Sequence, residues 1–102
     1  MSETFTRTEM LLGTDGMDRL KSARIAIFGI GGVGGYTAEA LARSGVGALD
    51  LIDNDKVSES NLNRQIIALR STIGKYKTEV AKARISDINP ECTVTAHNIF
   101  FM

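Results

Sequence analysis

Gly29, Gly31 and Gly34 stand at the G-x-G-x-x-G spacing, directly after the apolar run Ile25-Ala26-Ile27-Phe28 and just before a helix-forming segment from Tyr36 to Arg43. In that context glycines hold phosphate. Gly29 permits the tight turn out of a strand, Gly31 lets backbone N–H groups approach an anion, and Gly34 lets the helix pack close to the strand. Gly32 belongs to the same loop, and a helix that starts there offers unpaired donors and the positive end of its dipole. About twenty positions further on this arrangement places an acidic residue for ribose hydroxyls. Asp53 is there, closing the run Ala48-Leu49-Asp50-Leu51-Ile52, and Asp55 adds a second carboxylate. A glycine-rich turn with no ligand is the simpler alternative. Strand, glycines, helix, second strand and terminal aspartate agree against it.

Asn61, Arg64 and Gln65 follow in a long polar connection, residues 53–74. One helical turn would cluster their side chains, and an arginine with two amides facing a glycine-cradled phosphate makes a triphosphate clamp. The alternative is that Ser60-Asn61 caps a short helix and Arg64 faces solvent. Lys77 falls in the first turn of the next predicted helix, where a cation opposes the dipole. Reaching a phosphate explains it better than a tolerated surface position. Arg7, near the N-terminus, reads on pattern alone as a solvated arginine. Cys92 reads as a small buried hydrophobe rather than a nucleophile, and His97, the single histidine, as structural or solvent-facing.

These residues need a scaffold. Residues 24–53 read as a β-α-β unit, with the first strand over Arg24–Phe28 apolar enough to be buried on both faces. The helix from Gly32 to Ser44 places Val33, Tyr36, Ala40 and Leu41 near one stripe, with Ala38 and Ala42 allowing close approach, and Gly45 fits the position past its end. The second crossover helix occupies 74–90, with Tyr76, Val80 and Ala83 on one apolar edge extended by Ala81, Ile85 and Ile88. A third strand spans 91–98, alternating Cys92, Val94 and Ala96 with Thr93, Thr95 and His97. Before the sheet, Gly13 interrupts the chain, and Thr14 or Asp15 caps a short helix through Met17, Leu20 and Ala23. The expected fold class is α/β: a Rossmann-like parallel sheet with flanking helices, an N-terminal helical arm over 1–23 and a nucleotide-binding domain over 24–102.

Bulk composition narrows the partners. The 102 residues carry 12 Lys+Arg and 12 Asp+Glu, so no net charge draws the chain to nucleic acid or a membrane. One cysteine excludes an intrachain disulfide and a cysteine-rich zinc site within these residues, and no metal-ligand cluster is expected. No apolar run approaches a membrane span, and Met1-Ser2-Glu3-Thr4 lacks the features of a signal peptide. A cytoplasmic location is the expectation.

The segments Gly29-Ile-Gly-Gly-Val-Gly34, Arg43-Ser-Gly-Val-Gly47, Leu51-Ile-Asp-Asn-Asp55, Ser60-Asn-Leu-Asn-Arg-Gln65, Gly74-Lys-Tyr-Lys77 and Ile88-Asn-Pro90 occur in that order. Together they resemble the N-terminal half of the ThiF/MoeB/HesA group, bacterial relatives of ubiquitin-activating E1 enzymes. Arg7-Thr-Glu-Met-Leu-Leu-Gly13 and Ala68-Leu-Arg-Ser-Thr-Ile-Gly74 most resemble the branch that dehydrates threonylcarbamoyladenosine in tRNA. Tyr76 replaces the commoner proline of the Gly-x-x-Lys motif.

The resemblance implies ATP with Mg²⁺ in the cradle rather than NAD. Arg64 and Lys77 supply more positive charge than a dinucleotide loop needs. It implies that Asp53 holds the ribose with Asp55 nearby, that Asn61, Arg64 and Gln65 face the phosphates, and that Lys77 serves the α-phosphate. It also implies that Arg7 reaches the site of a neighbouring subunit in a homodimer. The implied reaction is adenylation of a carboxylate. The substrate is threonylcarbamoyladenosine in tRNA, or alternatively the C-terminus of a ubiquitin-like sulfur carrier. A non-catalytic nucleotide-binding or dimerisation module is a third reading. The family's magnesium-binding aspartate and substrate-binding half lie past Met102, so a truncated chain without turnover, binding nucleotide weakly, is the expectation.

Overall fold

The computed structural model describes residues 3–100. Elements follow in the order α1 (Thr6–Ser22), β1 (Arg24–Phe28), α2 (Val33–Ser44), β2 (Ala48–Ile52), α3 (Lys77–Ile88) and β3 (Thr93–His97), with 3-10 turns at Glu3–Phe5 and Glu59–Asn61. The strands form one parallel sheet in the order β1-β2-β3. This is the α/β architecture that the strand-glycine-helix pattern predicts.

Sheet register sorts the side chains into two faces. Ile25 pairs with Leu49 and Leu49 with Val94, and Ile27 pairs with Leu51 and Leu51 with Ala96. Those rows pack against Ala38 and Ala42 of α2 and Ala81 and Ile85 of α3, which makes the core. The opposite face carries Ala26, Phe28, Thr93 and Thr95, all exposed. The expectation that β1 is buried on both faces is therefore corrected: among the described residues both crossover helices cover the same face. On the open face, Arg24 donates to Asp50 at 2.6 and 2.9 Å and His97 Nε2 lies 3.0 Å from Asp50 Oδ1. The Arg24 hydrogen bond, then that of His97, holds the Asp50 carboxyl well below the usual carboxylate range.

The helices bury only part of the apolar positions the sequence suggests: Ala81 and Ile85 of α3 lie in the core, with Val80 and Leu41 packed against it. In α2 the buried residues are Gly35, Ala38, Glu39 and Ala42, while Val33 and Tyr36 are 81% and 56% exposed and Ala40 is exposed. Small side chains let α2 lie close to the sheet, and that proximity outweighs the greater hydrophobicity of the other stripe. In α3 Tyr76 and Ala83 face outward, and Lys77, Thr78, Ala81 and Ile85 are buried. Asn89 at the end of α3 donates to the carbonyl of Ala42 at 3.2 Å, tying the C-terminal ends of the two helices together.

The N-terminal helix begins earlier than expected. It runs from Thr6 and kinks at Gly13, where the backbone leaves helical dihedrals. Beyond the kink Met17 is fully buried and packs against Gly45 together with Phe5. Before it, Met10 and Leu11 are 80% and 87% exposed. Strand β3 is shorter than the predicted 91–98, but its alternation holds, with Cys92 and Val94 buried and Thr93 and Thr95 exposed. No helix among the described residues is long and apolar enough to cross a membrane.

Candidate functional site

The turn from β1 into α2 is shaped by contacts only glycine tolerates. Gly29 has φ of 85° and its N–H donates to Ile52 O at 2.8 Å, which holds the turn against the end of β2. A Cβ on Gly34 would lie 1.7 Å from the carbonyl oxygen of Gly29, so the first turn of α2 sits directly on the strand end. Gly32 is the N-cap of α2 and supplies no capping side chain. The Gly34 N–H bonds Gly31 O at 3.2 Å, while among the described residues no protein partner is found for the N–H groups of Gly31, Gly32 and Val33. Free donors at a helix N-terminus suit an anion.

Gln65 lies over this loop. A Cβ on Gly31 would meet Gln65 Nε2 at 2.7 Å, so the glycine makes room for that amide. Gln65 Oε1 is buried with no hydrogen-bond partner among the described residues. An unpaired buried amide oxygen is costly, and a hydrogen-bond donor of a bound ligand would satisfy it.

Asp53 is 6% exposed. Its Oδ2 accepts the N–H of Ile30 and its Oδ1 the N–H of Asp55, both at 2.8 Å. Asp55 is exposed; its carbonyl accepts the N–H of Lys77 at 3.0 Å, and its carboxylate lies 3.9 Å from Lys77 Nζ. Lys77, the first residue of α3, is nearly buried with that long ion pair as its charged contact. One chain of contacts therefore runs from the glycine loop through Asp53 and Asp55 to the lysine.

The polar connection is more ordered than a loop. Asn61 is buried, and its Oδ1 accepts from the N–H and hydroxyl of Ser58 at 2.9 and 3.0 Å, forming a reciprocal cap. Arg64 is exposed and its Nη1 donates to Ser60 O at 2.8 Å and Asn63 Oδ1 at 3.0 Å. Of the three predicted clamp residues, only Gln65 contacts the glycine loop. Asn61 shapes the turn that carries it, and Arg64 is turned onto its own backbone. Arg7 is exposed on the arm and lines an open groove with Met10 and Leu11, with no residue of the glycine loop in its walls. A larger groove of about 450 Å³ lies on the outer side of α3, between Ile67, Leu69, Val80 and Ala83, and none of the phosphate-site candidates lines it.

Two features were not visible as site elements in the sequence. Glu39 is 8% exposed and bonds Arg43 on its own helix and Arg84 on α3, which fixes α3, and so Lys77, against α2. The Glu39–Arg43 spacing of one turn was the available signal. Thr78, fully buried beside Lys77, donates to Asn98 Oδ1 and ties the start of α3 to the residue after β3. Cys92 is buried, and burial pushes its thiol pKa up, against a nucleophilic role.

Comparison with known proteins gives a consistent picture. A family model described as ThiF family matches residues 5–102. The chain is 50% identical over 101 residues to the tRNA threonylcarbamoyladenosine dehydratase of Bacillus subtilis, covering 99% of this chain and 40% of that protein. It is 42% identical over 96 residues to the molybdopterin-synthase adenylyltransferase of Salmonella typhimurium, covering 92% of this chain and 39% of that protein. The crystal structure of the Escherichia coli tRNA N6-threonylcarbamoyladenosine dehydratase in complex with ATP superposes with a TM-score of 0.96 at 48% identity, covering 98% of this chain and 41% of that one. The chain thus spans about 40% of the length of the relatives it matches.

Proposed function

The chain belongs to the ThiF family, and from that premise we propose that it binds ATP at the α2 N-terminus for adenylation of a carboxylate, that of threonylcarbamoyladenosine in tRNA. The observation that carries the reading is the cradle itself. Uncapped amides at Gly31, Gly32 and Val33 follow the Ile30 N–H that Asp53 accepts, and the near-buried Lys77 joins them through Asp55, whose own N–H Asp53 also accepts. These groups fit a polyphosphate: donors and a cation with little solvent to compete. The likeness to a structure holding ATP supports the same ligand.

ATP is a substrate in this reading. The carboxylate oxygen attacks the α-phosphorus, the bond to the bridging oxygen breaks, and pyrophosphate leaves. A nitrogen or oxygen of the carbamoyl group then attacks the activated carbonyl and gives up its proton as the bond to AMP breaks, so the nucleoside loses the elements of one water while ATP becomes AMP and pyrophosphate. Lys77 would stabilise charge on the α-phosphate as it develops, and the glycine-loop amides would hold the flanking phosphates. Mg²⁺ would offset the remaining phosphate charge. Arg64 would have to leave Ser60 and Asn63 to join them. A second copy, its Arg7 reaching across, would complete the site as a homodimer.

The test is to incubate the natural full-length protein with ATP, Mg²⁺ and tRNA carrying threonylcarbamoyladenosine, and to weigh the released nucleosides. A product lighter by one water that depends on ATP supports the reading; an unchanged nucleoside refutes it. The likeness to the Salmonella molybdopterin-synthase adenylyltransferase favours a second reading, activation of a ubiquitin-like sulfur carrier. ATP–pyrophosphate exchange that appears only on adding such a carrier would select it.

A further inference from the structure

We infer that Asp53 is a positioning residue whose carboxylate locks the glycine loop to the start of α3, so that the phosphate-facing amides and Lys77 move as one unit. Both oxygens are engaged inside the protein: Oδ2 by the Ile30 N–H and Oδ1 by the Asp55 N–H, each at 2.8 Å. The Asp53 N–H is bonded to His97 O at 3.1 Å, which anchors the residue to β3. Asp55 passes the constraint on, since its carbonyl accepts the Lys77 N–H at 3.0 Å. Hydrogen bonds to a carboxylate are about twice as strong as neutral ones; the Ile30 bond is buried and the Asp55 bond partly so. A residue whose whole task was to accept ribose hydroxyls would need neither link.

Each carboxylate oxygen has a further lone pair, so contact with a ribose is compatible with this role. The difference lies in what is lost without the carboxylate. A ribose acceptor matters only to ligands that have a ribose. A positioning residue matters equally to a bare polyphosphate, because it sets the amides and the lysine. The binding consequence rests on the phosphate-site reading proposed above, whereas the coupling of Ile30, Asp55 and Lys77 does not.

Asp53→Asn tests the role. The asparagine keeps the shape but turns an N–H donor toward one of the two N–H groups, so one link breaks. Amide hydrogen exchange is read at Ile30, Asp55 and Lys77, and binding of ATP and of tripolyphosphate is read by calorimetry. The expected result is about a tenfold loss of protection that reaches Lys77 as well as the broken link, with ATP and tripolyphosphate weakened by the same factor of about ten. Unchanged protection at Lys77 would overturn the proposal. So would a loss of ATP affinity with tripolyphosphate binding intact, the signature of a ribose contact alone. If the unaltered protein binds neither ligand, the nucleotide reading fails while the exchange data still decide the coupling. Should Asp53→Asn not fold, the unaltered protein decides it. Common opening of Ile30, Asp55 and Lys77 across a denaturant series supports the lock, and independent opening refutes it.

Discussion

Arg84 on α3 donates through Nε to Oε2 of Glu39 on α2 at 2.6 Å, and the two helices that carry the glycine loop and Lys77 are joined by that bond. Glu39 is nearly buried, so its charge is tolerable only because Arg84 and Arg43 both bond it.

Glu39→Ala should therefore destabilise the fold by about 1.5–3 kcal/mol, measured by urea unfolding. Arg84 is 37% exposed and can turn to water, which limits the loss. The pH dependence has a definite sign. The Arg84 hydrogen bond above all holds the Glu39 carboxyl below its ordinary value, with burial opposing and Arg43 assisting. A carboxyl depressed in the folded state contributes stability above its unfolded value, about 4.3, and loses it as pH falls through the folded value. The gap between the unaltered protein and Glu39→Gln should be full at neutral pH and should close in acid.

The glycines should separate by what their missing Cβ would strike. Gly34→Ala places a methyl against the Gly29 carbonyl, a backbone atom that cannot yield. It should cost at least about 2–3 kcal/mol and abolish ATP binding. Gly31→Ala meets the end of the flexible Gln65 side chain. It should cost about 1 kcal/mol or less, with ATP binding weakened because the amide is displaced. Thermal melts and calorimetry on both variants make the comparison.

Lys77→Met keeps an apolar stem in the buried position and removes the charge. Stability should change by less than about 1.5 kcal/mol, while ATP–pyrophosphate exchange should fall about 10²–10³-fold. Arg64→Ala should leave unfolding within about 0.5 kcal/mol of the unaltered protein, because the side chain is exposed and bonded only within its own turn. Exchange should nevertheless fall if the guanidinium swings onto the phosphates, and a variant of full activity would remove Arg64 from the site.

Cys92 should resist alkylation in the native protein. It is buried and its thiol is held in the neutral form. Labelling by iodoacetamide at neutral pH should follow opening of the β3 end rather than reagent concentration, and mass spectrometry across a urea series would show it.

Much of this protein could be read from its residues in order. Strands β1 and β2 and the start of α2 fall where apolar runs meet glycine, because Gly29, with its positive φ, ends the strand before α2 begins. Asp53, Gln65 and Lys77 were marked by spacing; Asp55 links Asp53 to Lys77, and Gln65 lies over Gly31. Gly34 has the packing role its position in the motif predicts. What the residues left open was which of two readings Asn61 and Arg64 follow, and the structure is nearer the alternative of a capped short turn with Arg64 exposed. Asn61 is used by Ser58, and Arg64 by its own turn, because a polar side chain bonds the nearest backbone group when no ligand competes.

The amino-acid order by itself determined the element sequence and the geometry of the glycine loop, since both depend on local sterics. Tertiary structure alone decided which face of α2 is buried, which side of β1 stays open, and that one carboxylate spans the glycine loop and the α3 start. The reason is that burial depends on how closely elements approach. Ala38 and Ala42 allow α2 to lie on the sheet where Val33 and Tyr36 would hold it away. That closeness depends on contacts between residues far apart in the chain, which hydrophobic periodicity along one helix does not contain.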